Sequence, residues 1–403
     1  MKNSLANGKL LKTIVYYIGF VSLGLAAAFL GPTLSDLAKN TQSELSEISI
    51  LFTARSLGYL LSSLMIGRVY DRKPGHPIMA TVLFTMAAML ALTPFIPILW
   101  VLVFAMLILG VGEGCLDVGT NTLLVWVHQK NVGPFMNGLH FSFGLGAFLS
   151  PIFVAWAILN TGGISWAFWL LALCMLPAAI GLLWLPSPAR REASKGTTRG
   201  NHQSILVFLT ASMLFLYVGA EIGYGGWIFT YVQSMQLADK ATAAYLTAAF
   251  WGALTLGRLL AVPISTRLKP GSILAGSLIG CLASMGVLLL WPDSMPAIWI
   301  GTLGLGFSMA AVFPSTLTYV EQRIPLSGQI TSFFFVGSSL GGMTLPWLIG
   351  QLIGPIGPQV VLYVITIDLI MALAVFSIIN LRHTRLRAVD PMELTPSSSE
   401  EPF

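Results

Sequence analysis

The chain has 403 residues, 55% of them hydrophobic and only 9% charged, with a mean hydropathy of +0.80. Soluble domains carry about 25% charged residues, so the composition excludes a soluble enzyme and specifies an integral membrane protein. The formal net charge of +5 sits in loops and calls for no nucleic-acid partner.

Lys2, Lys9 and Lys12 precede a first apolar run that is long enough to span and lacks a small-residue cleavage site, so it reads as an anchor rather than a signal peptide. Twelve spans of about the length a bilayer core demands are predicted. They cover 11–37, 45–67, 76–96, 98–127, 134–159, 164–185, 204–233, 241–266, 271–291, 296–320, 327–352 and 359–381. Seventeen of the 21 Lys and Arg residues fall on one side, and the opposite loops hold only Lys39 and Lys240. That asymmetry predicts both termini in the cytoplasm, with the chain in a plasma or inner membrane. Residues 1–185 then form the first six-span half, 186–203 a polar cytoplasmic linker, 204–387 the second half, and 388–403 a tail expected to be disordered. Cys115, Cys174 and Cys281 lie in apolar runs, which argues against a disulfide framework.

Ionisable residues inside spans are candidates for function, because hydrocarbon penalises a charge that has no cavity or partner. Arg55 stands in span two and Arg258 in span eight. They could neutralise acids, bind an anion or belong to a gate; the position of Arg258 near the basic end favours the gate. In span four, Glu113, Asp117 and Asn121 follow one another at spacings of four, on one helical face. They mark an ion or substrate path, against the alternative of a neutral pair that packs helices. In span five, Asn137 and His140 stand three apart, and His140 is a pore donor, a proton site or a packing residue.

In span seven, Tyr217, Glu221 and Tyr224 form a stripe that Trp227 and Tyr231 continue. Glycines at 219, 223, 225 and 226 predict a weakened helix whose break would free backbone groups toward a cavity. A carboxylate among aromatic rings suits a sugar: the acid accepts hydroxyl hydrogen bonds and a ring face covers C–H bonds. The alternative assigns the aromatics to the interface belt and the glycines to helix packing. Asp36, near the end of span one, and Asp368, within span twelve, receive no role.

The halves superpose at an offset near 195. Gly146 to Pro151 matches Gly341 to Pro346, Gly24 and Gly31 match Gly219 and Gly226, Lys73-Pro-Gly75 matches Lys269-Pro-Gly271, and Gly110-x-Gly112 matches Gly304-x-Gly306 at offset 194. Parallel repeats of this kind place a substrate site between the halves near midplane.

Twelve spans, the repeat and the loop Gly67-Arg-Val-Tyr-Asp-Arg-Lys-Pro-Gly-His76 together resemble the major facilitator superfamily. The resemblance implies an all-α fold of two six-helix halves. It also implies a gating role for Gly67, Asp71 and Arg72, whose loop in that family holds the cytoplasmic side closed. Four stretches are similar to the family's sodium-dependent glucose transporter branch, and more distantly to its fucose permease group. They are Gly31-Pro-Thr-Leu-Ser-Asp-Leu-Ala38, Gly114-Cys-Leu-Asp-Val-Gly-Thr-Asn121, Leu139-His-Phe-Ser-Phe-Gly-Leu-Gly-Ala-Phe-Leu-Ser-Pro151 and Val218-Gly-Ala-Glu-Ile-Gly-Tyr-Gly-Gly-Trp-Ile-Phe229. This likeness implies sugar uptake driven by a cation. The branch tends to carry an acid in span eleven where this chain has Gly342, which leaves the choice between Na+ and H+ open.

The expectation is a transporter that moves a neutral hexose-like sugar by alternating access. Asp117 and Glu113 would carry coupling; Asn121, Asn137, His140, Glu221, Tyr224 and Trp227 would bind substrate; Arg258 would join the gate. No metal site is expected, and no cofactor beyond the coupling ion, Na+ or H+. The expected partners are the sugar and the lipid bilayer, with the chain a monomer. The rivals are a proton-antiport exporter and a non-transporting receptor. The exporter fits poorly, since Ser150-Pro151 is followed by Ile152-Phe-Val-Ala rather than by paired glycines. An enzyme is not expected, because no phosphate-cradling loop or His-Glu-x-x-His run is present.

Overall fold

Twelve helices, or pairs of helices joined by a break, are long and apolar enough to cross a bilayer. The computed structural model describes residues 2–189, 204–324 and 328–389. Span one is Lys2–Ala28 continued by Leu30–Asn40, and span two is Leu45–Ile48 continued by Ile50–Tyr70. Spans three to six are Gly75–Leu92, Leu99–His128, Val132–Thr161 and Ser165–Trp184. Spans seven to nine are Ser204–Ser234, Lys240–Ser265 and Pro270–Leu290. Span ten is Met295–Met309 continued by Val312–Glu321, and the last two are Gly328–Ile356 and Val360–Val389. Most of the linker read at 186–203, and the tail beyond 389, lie outside the described residues.

Two of the three breaks have a proline behind them. A proline has no N–H for the carbonyl four residues back and its ring crowds that carbonyl. Pro32 stands four residues after Ala28, where the first helix of span one ends, and Pro314 stands four after Ala310, beside the break in span ten. Proline is not sufficient, since Pro151, Pro177, Pro263 and Pro346 lie inside continuous helices. In each break a side chain from another span takes a carbonyl near the helix end. Arg55 donates to Ala27 O at 3.1 Å, Gln351 to Ser46 O at 2.7 Å, and Tyr217 to Met309 O at 3.1 Å. Hydrocarbon offers such carbonyls no water, so the donors stabilise the interrupted helices. The break expected in span seven is absent: its 31 residues form one helix.

The glycines of span seven serve contact instead. A Cβ on Gly219 would stand 3.0 Å from Leu345, on Gly225 2.9 Å from Trp251 and on Gly226 2.8 Å from Phe52. The internal repeat is visible in such approaches. Gly24 faces Phe143 O and Gly146 faces Val21 O between spans one and five; Gly341 faces Phe215 O between spans seven and eleven. Gly110 lies on Arg55 O as Gly306 lies on Phe250 O.

Among the described residues, the polar contacts between the halves lie toward one end. At the end opposite the basic loops, Lys240 Nζ reaches Asp36 Oδ1 across the interface at 2.5 Å, and Gln351 bridges to Ser46 and Ser49. There a Cβ on Gly31 would meet Gly225 O at 2.7 Å. Spans five and eight show where contact stops. Phe148 packs on Gly252 and Thr255 on Gly144, but the next residues along that stripe, His140 and Asn137, are exposed. The spans therefore diverge toward the basic end, and a cleft between the halves opens there.

Candidate functional site

Three glycines draw spans two and four together. A Cβ on Gly58 would lie 2.2 Å from Leu107 O, on Gly110 1.9 Å from Arg55 O, and on Gly114 2.6 Å from Tyr59 O. Helices this close let facing side chains one turn apart pair as rungs. Arg55 Nε donates to both Glu113 oxygens at 2.9 Å, with side chains only 11% and 5% exposed. One turn on, Tyr59 donates its hydroxyl to Asp117 Oδ2. Asn121 Nδ2 donates to Asp117 Oδ1 at 2.8 Å and to Asp117 O at 2.9 Å.

These two acids have different partners. Glu113 is matched by a guanidinium, so its pair is neutral as a unit. Asp117 is held only by neutral donors, a phenol and an amide. The residue is half-buried, and its two carboxylate oxygens are taken by Tyr59 and Asn121.

The second half contributes one ion pair. Arg258 Nη2 lies 3.5 Å from Glu221 Oε1, with Arg258 26% exposed and Glu221 10%. Tyr217, one turn before Glu221, lies beside that carboxylate and caps Met309 O. This pair gives Arg258, expected at the gate, a partner in span seven: it is the counter-ion of Glu221, at a longer distance than the pair in the other half. The internal repeat does not relate the two pairs, since one joins spans two and four and the other spans seven and eight.

The remaining candidates divide. His140 and Asn137 are exposed on the cleft side of span five, with His140 edge-on to Phe20 at 5.8 Å and within electrostatic reach of Arg258. Tyr224 and Trp227 are fully buried elsewhere. Tyr224 shares a 2.6 Å hydrogen bond with Thr302 of span ten, and Trp227 Nε1 donates to Pro346 O at 2.8 Å while its ring packs near Phe52. The structure does not bring these two to the cleft. In the loop expected to gate, Asp71 and Arg72 are exposed without an ion pair or side-chain hydrogen bond among the described residues, and a Cβ on Gly67 would meet nothing within 4 Å.

Sequence reasoning missed Tyr59 and Trp251. Tyr59 follows Arg55 by four, so the same helical-face argument that linked Glu113 to Asp117 could have found it. Trp251 lines a small cavity between the halves with Phe52, Arg55, Ile222 and Gly225; nothing in its sequence context distinguishes it from a packing tryptophan. No cluster of three or more metal-ligating side chains occurs among the described residues.

The glycine rungs give a stability prediction. Gly110→Ala forces a methyl against a backbone oxygen that cannot swing away, so its cost should exceed the roughly 1–3 kcal/mol usual for overpacking. Thermal unfolding in detergent should show a clear fall in midpoint for Gly110→Ala and none for Gly67→Ala, whose methyl has free space. Equal midpoints for the two variants would sink the rung account.

The profile of the Major Facilitator Superfamily matches residues 16–346. The mouse protein named sodium-dependent glucose transporter 1A is 32% identical over 376 residues, covering 84% of this chain and 88% of its own. Its human namesake, sodium-dependent glucose transporter 1, is 32% identical over 83% of this chain and 72% of its own. The Pongo abelii protein named major facilitator superfamily domain-containing protein 4A is 28% identical over 84% of this chain and 86% of its own. Among solved structures, a single-substitution mutant of the nucleoside transporter NupG superposes with a TM-score of 0.73 over 92% of this chain and 99% of that one, at 15% identity.

Proposed function

The chain belongs to the Major Facilitator Superfamily, and from that premise we propose that it is a symporter coupling one monovalent cation, bound at Asp117, to one neutral hexose-like sugar. It is a transporter rather than an enzyme, with two six-helix halves and a cleft between them. The carrying observation is the charge balance at the interface. Arg55 matches Glu113, Arg258 matches Glu221 and Lys240 matches Asp36, so of the four acids there only Asp117 has no cationic partner among the described residues. One unmatched carboxylate accepts one proton or one sodium ion. Glu113, its charge already matched, holds Arg55 in place and drops out of the coupling role.

Neutral ion pairs, an amide and phenols suit hydroxyl groups rather than a charged solute. Asn121, Glu221, Arg258, Asn137 and His140 are the groups we assign to the sugar. The names of the glucose-transporting relatives support the substrate class and the presence of a coupling ion. The positive-inside asymmetry supports a cytoplasmic location for the basic end; the open cleft then faces inward, in a plasma or inner membrane. Uptake into proteoliposomes with sodium and proton gradients imposed separately tests the reading. Accumulation of a D-hexose with either gradient supports it; equilibration without accumulation under both would refute symport.

In this orientation Asp36 and Lys240 latch the outer side. Part of that pair is solvent-exposed, so Asp36→Asn should favour outward opening only by about twofold to fivefold. Distance distributions between spin labels at Lys39 and Gln236 should gain a longer component in the variant. An unchanged distribution would show that the pair is not a latch.

A further inference from the structure

We infer that Trp251 is a specificity-determining contact for the sugar, donating its indole N–H to one hydroxyl and covering the sugar's C–H face with its ring. The inference rests on the sugar reading above and deepens it. Trp251 is 3% exposed, yet its Nε1 has no hydrogen-bond partner among the described residues. Buried indole N–H groups ordinarily find one. Trp227, an equally buried tryptophan nearby, does donate, to Pro346 O. The orphan donor of Trp251 therefore needs a reason, and its position supplies one.

Trp251, of span eight, lines a constriction where spans one, two, seven and eight converge. The other walls are Gly31 of span one, Phe52 and Arg55 of span two, and Gly225 of span seven. The space is about 10 Å³, enough for a single water. It lies at the closed end of the cleft, next to the Arg55–Glu113 pair. The indole edge that carries Nε1 is seated against Gly225: a Cβ there would stand 2.9 Å from Cζ2 and 3.2 Å from Cε2. Its other neighbour is Phe250, edge-on at 5.3 Å. Any larger residue at 225 would displace the ring. The glycine thus leaves room for the indole in a cavity whose opposite wall, with Phe52 and Arg55, belongs to the first half. A sugar entering as the outer contacts separate would meet N–H donors from both halves, Arg55 and Trp251, and a ring face between them. A lipid or apolar solute would leave the indole N–H unpaired, at a cost that disfavours it.

The test uses the full chain in proteoliposomes with D-glucose, D-galactose and D-mannose, and the monodeoxy analogues of whichever hexose wild type moves. Trp251→Phe keeps a ring and removes the donor. KM for the parent sugar should rise about tenfold, as for loss of one well-placed hydrogen bond. One deoxy analogue should be disfavoured by wild type and not by Trp251→Phe, because donor and hydroxyl are then both missing. An unchanged KM in Trp251→Phe, or the same analogue penalties in both proteins, would overturn the role of Trp251 while leaving sugar transport intact. Wild type that moves none of the hexoses would instead overturn the sugar reading itself. Should Trp251→Phe not assemble, Gly225→Ala displaces the indole edge and must raise KM in the same analogue-selective manner, or the inference fails.

Discussion

Asp117→Asn will exchange sugar across the membrane but will not accumulate it. With one cation per sugar and no membrane potential, a tenfold ion gradient can drive at most about a tenfold sugar gradient, each worth about 1.4 kcal/mol. Removing the unmatched charge removes the cation's site, so that drive disappears and the internal sugar concentration settles at the external one. Asparagine keeps the shape of the side chain and can still bond to Tyr59 and Asn121, which contact Asp117 on its two oxygens. The halves can therefore still rock, and counterflow of labelled against unlabelled sugar should persist at a rate within about an order of magnitude of wild type. Glu113→Gln makes the contrast. It breaks the match with Arg55 and should slow every mode of transport together, exchange included. Full accumulation by Asp117→Asn would end the assignment of coupling to this residue.

The spans were legible because length and hydropathy are local properties of the chain. The acids of span four were legible for the same reason: a charge in an apolar run is conspicuous, and spacings of four share a face. Their difference was not. Whether Glu113 or Asp117 is neutralised depends on which residue of span two stands opposite, and that register is fixed by Gly58, Gly110 and Gly114 lying on backbone oxygens of the partner helix. A pairwise contact between helices about 55 residues apart has no signature in either helix alone. Span seven shows the converse error. Its glycines predict a break if only backbone freedom is considered, but packing against Leu345, Ile365, Trp251 and Phe52 uses all four without one. Two of the three interruptions instead occur by Pro32 and Pro314, where a donor from another span takes a carbonyl near the helix end. Tyr224 and Trp227 sat on the right helix, but on the face turned to spans ten and eleven. An aromatic stripe does not say which of its sides is wet.

Arg55→Gln is the substitution with the largest expected cost to the fold. Arg55 binds both oxygens of Glu113 and also caps Ala27 O at the broken end of span one. Glutamine is too short to replace both, and it leaves Glu113 as a buried, unpaired acid. Breaking a buried pair from one side typically costs about 3–5 kcal/mol, a large share of the roughly 5–15 kcal/mol that holds a protein folded. Replacing both partners avoids the stranded charge, so Arg55→Gln with Glu113→Gln should be more stable than Arg55→Gln alone. The order of unfolding midpoints in detergent should run wild type, double variant, single variant. The gap between the two variants isolates the buried charge, and the gap between wild type and the double variant contains the lost cap on Ala27. A double variant no more stable than the single would mean that Glu113 takes up a proton when its partner is removed and that the pair adds little to the fold. In neither protein should coupling be the function that is selectively lost, because the unmatched acid, Asp117, is still present; any accumulation defect should scale with the loss of exchange.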